Sequence, residues 1–437
     1  MIRISLAVAL VATCLLPGAV QSQAGGYTLT IELENTVPPG TPVCVPITVP
    51  DQVGKNTEVI ITGKGGSKPF ESQAQITAPG IMTEKTPATA GGVRRELHFR
   101  TPDLTDKTLT IVLNFAVPPT SQSPFTWQDK AGEHADLSFK GMPVMRYMYK
   151  AYDNSSTEKR DKTYKVFHHL YDPTSKRLIT NGGQTNEPLP KNPKDLLYPH
   201  HRGLMYAFKK INYGDAPECD TWHAIPGETH QSHVGFLGSE AGSELGRHRV
   251  AVNWHGVKND IFANEEREMT VYKFKDGVLV EFASRLKSPK GTVKLGGDPQ
   301  HSGFQFRVHN DLYEAKLHDQ TYYVSPEGKS GLGKKGERNW DPKTGKGPVD
   351  IGWDSMHFIL DGKRYTAVYM DHPKNPHPSR WSERDYGRFG CYFETQFSET
   401  QPLEVNYRLW LQEGDMTPAA AAELARQFVS PPKVTVR

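Results

Sequence analysis

The sequence predicts an all-β protein built from antiparallel sheets packed as sandwiches. Three observations carry that expectation. Short runs alternate apolar and polar residues along most of the chain, which is the period-two pattern of half-buried strands. Glycine (39) and proline (33) punctuate these runs as turns. Only Pro418 to Phe428 reads convincingly as a helix, so the strands must be joined directly rather than through helical crossovers.

The chain has 437 residues, which suits two or three domains. Lysine and arginine number 52 against 49 acidic residues, a formal net charge of +3. That balance calls for neither nucleic acid nor an acidic membrane as partner. Residues 1–24 read as a secretory leader: Arg3 is the positive end, Leu6 to Leu16 the apolar run, and Ser22-Gln23-Ala24 the small-x-small cleavage site. The apolar run is shorter than the ~20 residues of a membrane span, and no later segment reaches that length. The expectation is a secreted or periplasmic protein with no membrane span after its leader. Cys44, Cys219 and Cys391 remain in the mature chain. They lie too far apart for a disulfide framework or a metal-ligand spacing, though one bridge is possible. Cys391 falls on the apolar side of its strand, as a core thiol would.

Residues 26–117 are expected to form a small β-sandwich accessory domain. Tyr27 to Leu33 alternates cleanly, and Val43 to Val49, Glu58 to Thr62, Arg94 to Phe99 and Leu109 to Phe115 follow as short strands. No clustered histidines or carboxylates appear in this stretch. Residues 118–124, rich in proline and serine, read as a linker. Residues 125–437 form one large β-rich unit ending in the helix 418–428, with Thr417 as N-cap and Pro418 in the first position. Ser325 to Val349 is long, rich in glycine and lysine, and aperiodic, the signature of a disordered loop or a lid.

The chemistry concentrates in the large unit. In the strand His301 to His309, Ser302, Phe304, Phe306 and Val308 share one face; His301, Gln305, Arg307 and His309 share the other. Two imidazoles, a guanidinium and an amide can hold a polar ligand and move a proton. A solvated face is the plainer reading. Tyr198-Pro199-His200-His201-Arg202-Gly203, then Asp220-Thr221-Trp222-His223, then His230 and His233 add five histidines within 34 residues. No helical His-x-x-x-His with a carboxylate accompanies them, so metal binding is the less favoured reading. Trp353 with His357, and Tyr392 with Glu394, give two further strands a polar, partly aromatic face. Lining one concave sheet, these faces would make a sugar-like site: aromatic rings stack on C–H surfaces while Arg, Gln and Glu take hydroxyls. Arg380, Glu383, Arg384, Asp385 and Arg388 read as a structural ion-pair network.

Four motifs carry a resemblance: residues 198–203, Gly246-Arg247-His248-Arg249, residues 297–307 and Ser382-Glu383-Arg384-Asp385-Tyr386-Gly387-Arg388-Phe389-Gly390. Over about residues 130 to 430 the chain resembles the secreted family labelled "methane oxygenase PmoA". The membrane-bound monooxygenase subunit of that name crosses the bilayer many times, and this chain has no such spans. The resemblance implies a galactose-mutarotase-like β-supersandwich, a fold that hosts lyases, hydrolase accessory domains and binders and does not select a reaction.

The resulting expectation is acid–base chemistry on a carbohydrate or sugar derivative: epimerisation, elimination or glycosidic cleavage. His201, His301, Arg307 and Glu394 are the candidate catalytic residues. His200, Arg202, Trp222, His223, Gln305, Trp353, His357 and Tyr392 are the candidate substrate contacts. No metal ligand and no cofactor is assigned. The alternatives are a non-catalytic glycan-binding protein and a metal-dependent oxidoreductase.

Overall fold

The structure is a computed structural model that describes residues 27–32, 38–65, 68–85, 92–103, 108–114, 123–180, 198 and 200–431. The expected leader and most of the expected linker lie outside the described residues. Strands dominate and every pairing between them is antiparallel, the all-β architecture that the alternation predicts.

Two large sheets face each other across one core. The nine-stranded sheet runs His230–Ala241, Gly246–His255, Ile261–Lys273, Gly277–Lys287, Leu403–Glu413, Lys363–Asp371, Trp353–Leu360, Tyr322–Ser325 and Gly328–Lys329. The eight-stranded sheet runs Arg380–Arg384, Arg388–Tyr392, Gly303–Arg307, Leu204–Ala207, Phe167–Leu170, Met142–Met148, His134–Phe139 and Phe125–Lys130. Alternate residues of each meet between them. Phe304 of the second sheet stacks on Phe282 of the first at 4.2 Å and on Tyr407 at 5.2 Å. Cys391 lies in this core, fully buried, and Cys44, Cys219 and Cys391 are all free thiols.

The helix Pro418–Val429 begins as expected, Thr417 accepting from the backbone N–H of Ala420 at 3.2 Å. Its buried Ala421, Ala425 and Phe428 recur at helical spacing and pack on Trp353, Val368 and Met370. A short helix over Thr157–Thr163, capped by Ser156, was not legible in the sequence. The stretch 325–349 is neither a disordered loop nor a free lid. Arg338 grips Glu383 at 2.8 Å, Arg384 grips Glu337 at 3.0 Å, and a 3-10 turn forms over Gly333–Gly336. Among the described residues, no helix is long and apolar enough to cross a membrane.

Strands within residues 27–114 form a separate six-stranded sheet with its own core around Val45, Ile47, Ile61, Ile76, Leu97 and Ile111. This sheet packs on the nine-stranded sheet through charge. Arg247 reaches Glu96 at 3.0 Å, Arg249 reaches Glu84 at 2.6 Å, and the backbone N–H of Ala78 donates to Glu240 at 2.7 Å. Glu96 and His98 lie two residues apart on one strand, and it is Arg247 of the facing sheet and Thr83 that make them part of a buried polar cluster the sequence did not reveal. A cavity of about 1030 Å³ remains between the two layers.

Candidate functional site

The strand Gly303–Arg307 is shorter than the expected His301 to His309, and the reason lies in Gly303. Its φ is +83°, and a Cβ there would stand 2.2 Å from the carbonyl oxygen of Cys391. Only glycine fits both the conformation and the space. His301 therefore leaves the sheet and sits in a turn built by Asp298. The Asp298 carboxylate Oδ1 accepts from the Gln300 N–H at 2.9 Å and lies 2.8 Å from His301 Nδ1. Lys209 Nζ, 3.0 Å away, holds the other oxygen.

The same device recurs around His223. Asp220 Oδ1 accepts from the N–H groups of Trp222 at 2.6 Å and His223 at 2.9 Å, and Oδ2 lies 2.7 Å from His223 Nδ1. In both turns an aspartate closes the backbone loop and orients the imidazole three residues on. His200 and His201 come from a third loop, ahead of the strand Leu204–Ala207. Lys165 ties two of these loops together, its Nζ donating to the carbonyls of His200 and Trp222, each at 2.9 Å.

These loops converge. The ring of His200 lies 4.7 Å from His223 and 6.0 Å from His301, and His223 lies 5.0 Å from His301, centroid to centroid. One nitrogen from each of the three rings falls within 4.8 Å of the others. His201 packs 4.3 Å from His200, and Trp222 turns its edge to His201 and His301. His201 and Trp222 are buried and form the floor, while the side chains of His223 and His301 are 24% and 25% exposed. Tyr198, 41% exposed, and Tyr386 build an aromatic wall beside them, their rings 4.7 Å apart. Burial pushes the His200 imidazole down to about 2, reinforced by His223 and Lys165. Burial, then His200, Arg388 and Arg307, hold His201 well below the usual range. Both rings are neutral near pH 7, with a nitrogen lone pair to offer.

The other expected site residues are placed differently. Gln305 and Arg307 share a face, as alternation requires, but that face is fully buried. Arg388 donates to Gln305 Oε1 at 2.8 Å and to Ser382 Oγ at 2.6 Å. Arg307 donates to the carbonyls of Val308 and Tyr386 and to Asn310 Oδ1, and its guanidinium lies 5.1 Å over the Tyr386 ring. It braces the aromatic wall from behind. Arg202 is buried and donates to the Asp161 carbonyl. Tyr392 is buried with the Arg380 guanidinium 5.5 Å over its ring. Glu394 lines a separate shallow depression with Lys210 and Gln396. Trp353 is covered by the C-terminal helix. His357 stacks on Tyr322 at 4.5 Å, its Nδ1 3.1 Å from Asp415. The structure thus gathers His200, His201, Trp222, His223 and His301, and leaves Glu394, Trp353 and His357 outside.

Sequence reasoning missed Asp220 and Asp298, and with them Tyr386. A partial signal was present: Asp-x-x-His occurs at 220–223 and 298–301, though also at 354–357, within a strand away from the cluster.

A family profile matches residues 134–426, the region that holds all four of the motifs singled out above. The chain belongs to a family of unknown function (DUF6807). No curated protein matches it. Among solved structures, it is similar to a protein in glycosyl hydrolase family 38 from Enterococcus faecalis, with TM-score 0.41 and 5% identity over 94% of this chain. The chain spans about half of that protein, 47% of its length. Pseudomonas aeruginosa OccK2 in complex with glucuronate scores 0.12 at 10% identity, over 90% of this chain and 98% of that one. Likeness at these levels carries no argument about chemistry.

Proposed function

We propose that the protein is an exported enzyme that moves protons on a carbohydrate or sugar derivative, by epimerisation or elimination, at the imidazole cluster. The observation that carries this reading is the convergence of His200, His201, His223 and His301 from three loops beside an exposed tyrosine. Tyr198 offers a ring face to sugar C–H groups, and the half-open imidazoles offer nitrogen to hydroxyls or to a carbonyl oxygen.

Glycosidic cleavage fits less well. It generally uses two carboxyl groups roughly 5 to 9.5 Å apart across the scissile bond. Among the described residues at the cluster, Asp220 and Asp298 are both committed to imidazole Nδ1 atoms, and Glu394 lies in another depression. Removal of a proton next to a carbonyl needs no such pair. The leader expected at residues 1–24 and the expected resemblance to the secreted PmoA-labelled family are the grounds for reading the protein as exported. Within it residues 26–117 serve as an accessory unit, 118–124 as a linker and 125–437 as the catalytic unit.

The test is to offer the purified protein neutral oligosaccharides and carbonyl-bearing sugars in D2O, following products and deuterium incorporation by NMR. The expected outcome is exchange or elimination on at least one carbonyl-bearing sugar, reduced 100-fold or more in Tyr198→Ala and His301→Ala. Tight binding without exchange or product would leave a glycan-binding protein instead.

A further inference from the structure

We propose that His200, His223 and His301 bind one divalent transition-metal ion of the zinc class, leaving its remaining positions open toward solvent and substrate. Four observations on different atoms carry this.

The first is spacing. The three nitrogens lie within 4.8 Å of one another. Around a tetrahedral ion with ligand bonds of about 2.0–2.1 Å, they would stand about 3.3 Å apart. Small ring rotations close that gap, and His223 and His301 sit on the partly exposed side where such rotations are open to them.

The second is orientation. His223 and His301 each commit Nδ1 to an aspartate, at 2.7 and 2.8 Å. This leaves Nε2 as the nitrogen available for a ligand. A carboxylate gripping the far nitrogen is the usual support of a metal-bound imidazole, because it fixes tautomer and ring orientation and raises basicity. Two such grips among three converging histidines are hard to explain as surface decoration. The two carboxylates also offset the charge that an ion would bring.

The third is an orphaned atom. His200 Nε2 is buried and has no hydrogen-bond partner. A buried nitrogen left unpaired costs free energy unless something binds it.

The fourth is contrast. Cys44, Glu96 and His98 also lie close enough to suggest an ion site. There the atoms are already used. Glu96 is paired with Arg247 and accepts from Gly80 and Thr83, while His98 bonds Thr77 and Tyr272 through its two nitrogens. Both nitrogens of His98 are taken, and the Arg247 guanidinium already pairs with the Glu96 carboxylate. The trio at His200 has no such occupant. Lys165 beside it spends its amino group on two backbone carbonyls, and Lys209 is held by Asp298.

Three imidazole ligands suit zinc, cobalt or nickel better than calcium or magnesium, which take oxygen ligands. With the ion bound, the substrate oxygen that the imidazoles would otherwise hold takes the ion's open position, where it is polarised. This last step rests on the proposed function above, since it makes the hydrogen on the neighbouring carbon more acidic. The binding of the ion does not rest on it.

The experiment uses the full chain, stripped with chelator and titrated with Zn2+ by calorimetry and with Co2+ by absorption. One equivalent should bind with micromolar or tighter Kd, with the intense visible bands of low-coordinate Co2+. His223→Ala and His301→Ala should each weaken binding 100-fold or more. Asp220→Ala and Asp298→Ala should weaken it 10- to 100-fold. His357→Ala, outside the cluster, should leave it unchanged. Should a histidine variant fail to fold, the aspartate variants and a Zn2+-dependent rise in Tm of the unaltered protein still decide. Equal binding by the unaltered protein and the cluster variants, or no stoichiometric binding, overturns the proposal. Metal binding without sugar turnover would overturn only the functional reading. Turnover that survives complete stripping would overturn only a catalytic role for the ion.

Discussion

Asp298 holds His301 by a single carboxylate oxygen, Oδ1 standing 2.8 Å from the ring's Nδ1 while Lys209 occupies Oδ2. The pairing fixes which nitrogen of His301 faces the cluster. Burial pushes the Asp298 carboxyl up, but the His301 contact and Lys209 outweigh it and hold the group below the usual carboxylate range. Asp298→Ala should therefore fold and lose activity, by about 10- to 100-fold. Its Tm should fall by only a few degrees, since the turn is partly exposed. Turnover and thermal melts measured on the same preparation check this. Unchanged turnover would mean that the ring needs no support.

Arg307 behaves differently, although it shares a strand with the turn that carries His301. Its guanidinium is fully buried and bonded to two carbonyls and the Asn310 amide. Burial lowers its pKa to about 10, helped by nearby Arg388, so it still carries its charge at neutral pH. Arg307→Ala would orphan three acceptors and remove the support under Tyr386. The expected cost is roughly 2–4 kcal/mol of stability, read from urea unfolding. His301→Ala should cost far less stability and far more activity. Equal stability losses in the two variants would contradict this division.

The contrast shows what was legible in the sequence. Alternation along residues 303–307 correctly separated Phe304 and Phe306 from Gln305 and Arg307, because pleat parity is local. It could not say what covers the polar face. Arg388, from a strand some eighty residues later, buries it, and that pairing is non-local. The same limit explains His357 and Trp353, each given the right strand but the wrong surroundings, since the C-terminal helix and Tyr322 cover them. The histidine enrichment between 200 and 233 pointed at the cluster, yet His230 went elsewhere, stacking on Tyr152 and His255. Asp-x-x-His marks two of the three loops, but the same spacing at Asp354 and His357 lies within a strand, so the motif reads as a closed turn with an oriented ring only where the backbone leaves the sheet.

Glu394 supplies a negative control. Its side chain is 55% exposed and 3.7 Å from Arg380. An exposed pair of this kind contributes about 0–1 kcal/mol. Glu394→Gln should leave both Tm and turnover within experimental error. A large loss of turnover would restore it as the acid or base that the sequence first suggested.

The interface between the six-stranded and nine-stranded sheets predicts an unusual pH dependence. Glu96, Glu240 and Glu268 surround Arg247, and Glu96 alone holds it at hydrogen-bond distance. Burial raises the Glu268 carboxyl to about 7, with Glu96 adding to the rise and Arg247 opposing it. In the unfolded chain the same group titrates near its ordinary 4.5. Between these two values the folded protein binds the extra proton, so Glu268 makes stability fall as pH rises from about 4.5 to about 7 and adds no slope above that. Most carboxylates in ion pairs do the opposite. Buried neutral histidines such as His200 pull total stability the other way over part of this range, so the Glu268 contribution is read as the difference between the unaltered protein and Glu268→Gln in urea unfolding at pH 5, 6, 7 and 8, a change on the order of 2 kcal/mol in all. Glu268→Gln, which cannot ionise, should lack this contribution and gain stability relative to the unaltered protein as pH rises to 8. Arg247→Ala should steepen it, because removing the cation paired with Glu96 leaves three buried carboxylates facing each other, at about 3–5 kcal/mol. If Glu268→Gln keeps the full slope, the dependence belongs to another group and the charge balance drawn here for the interface is wrong.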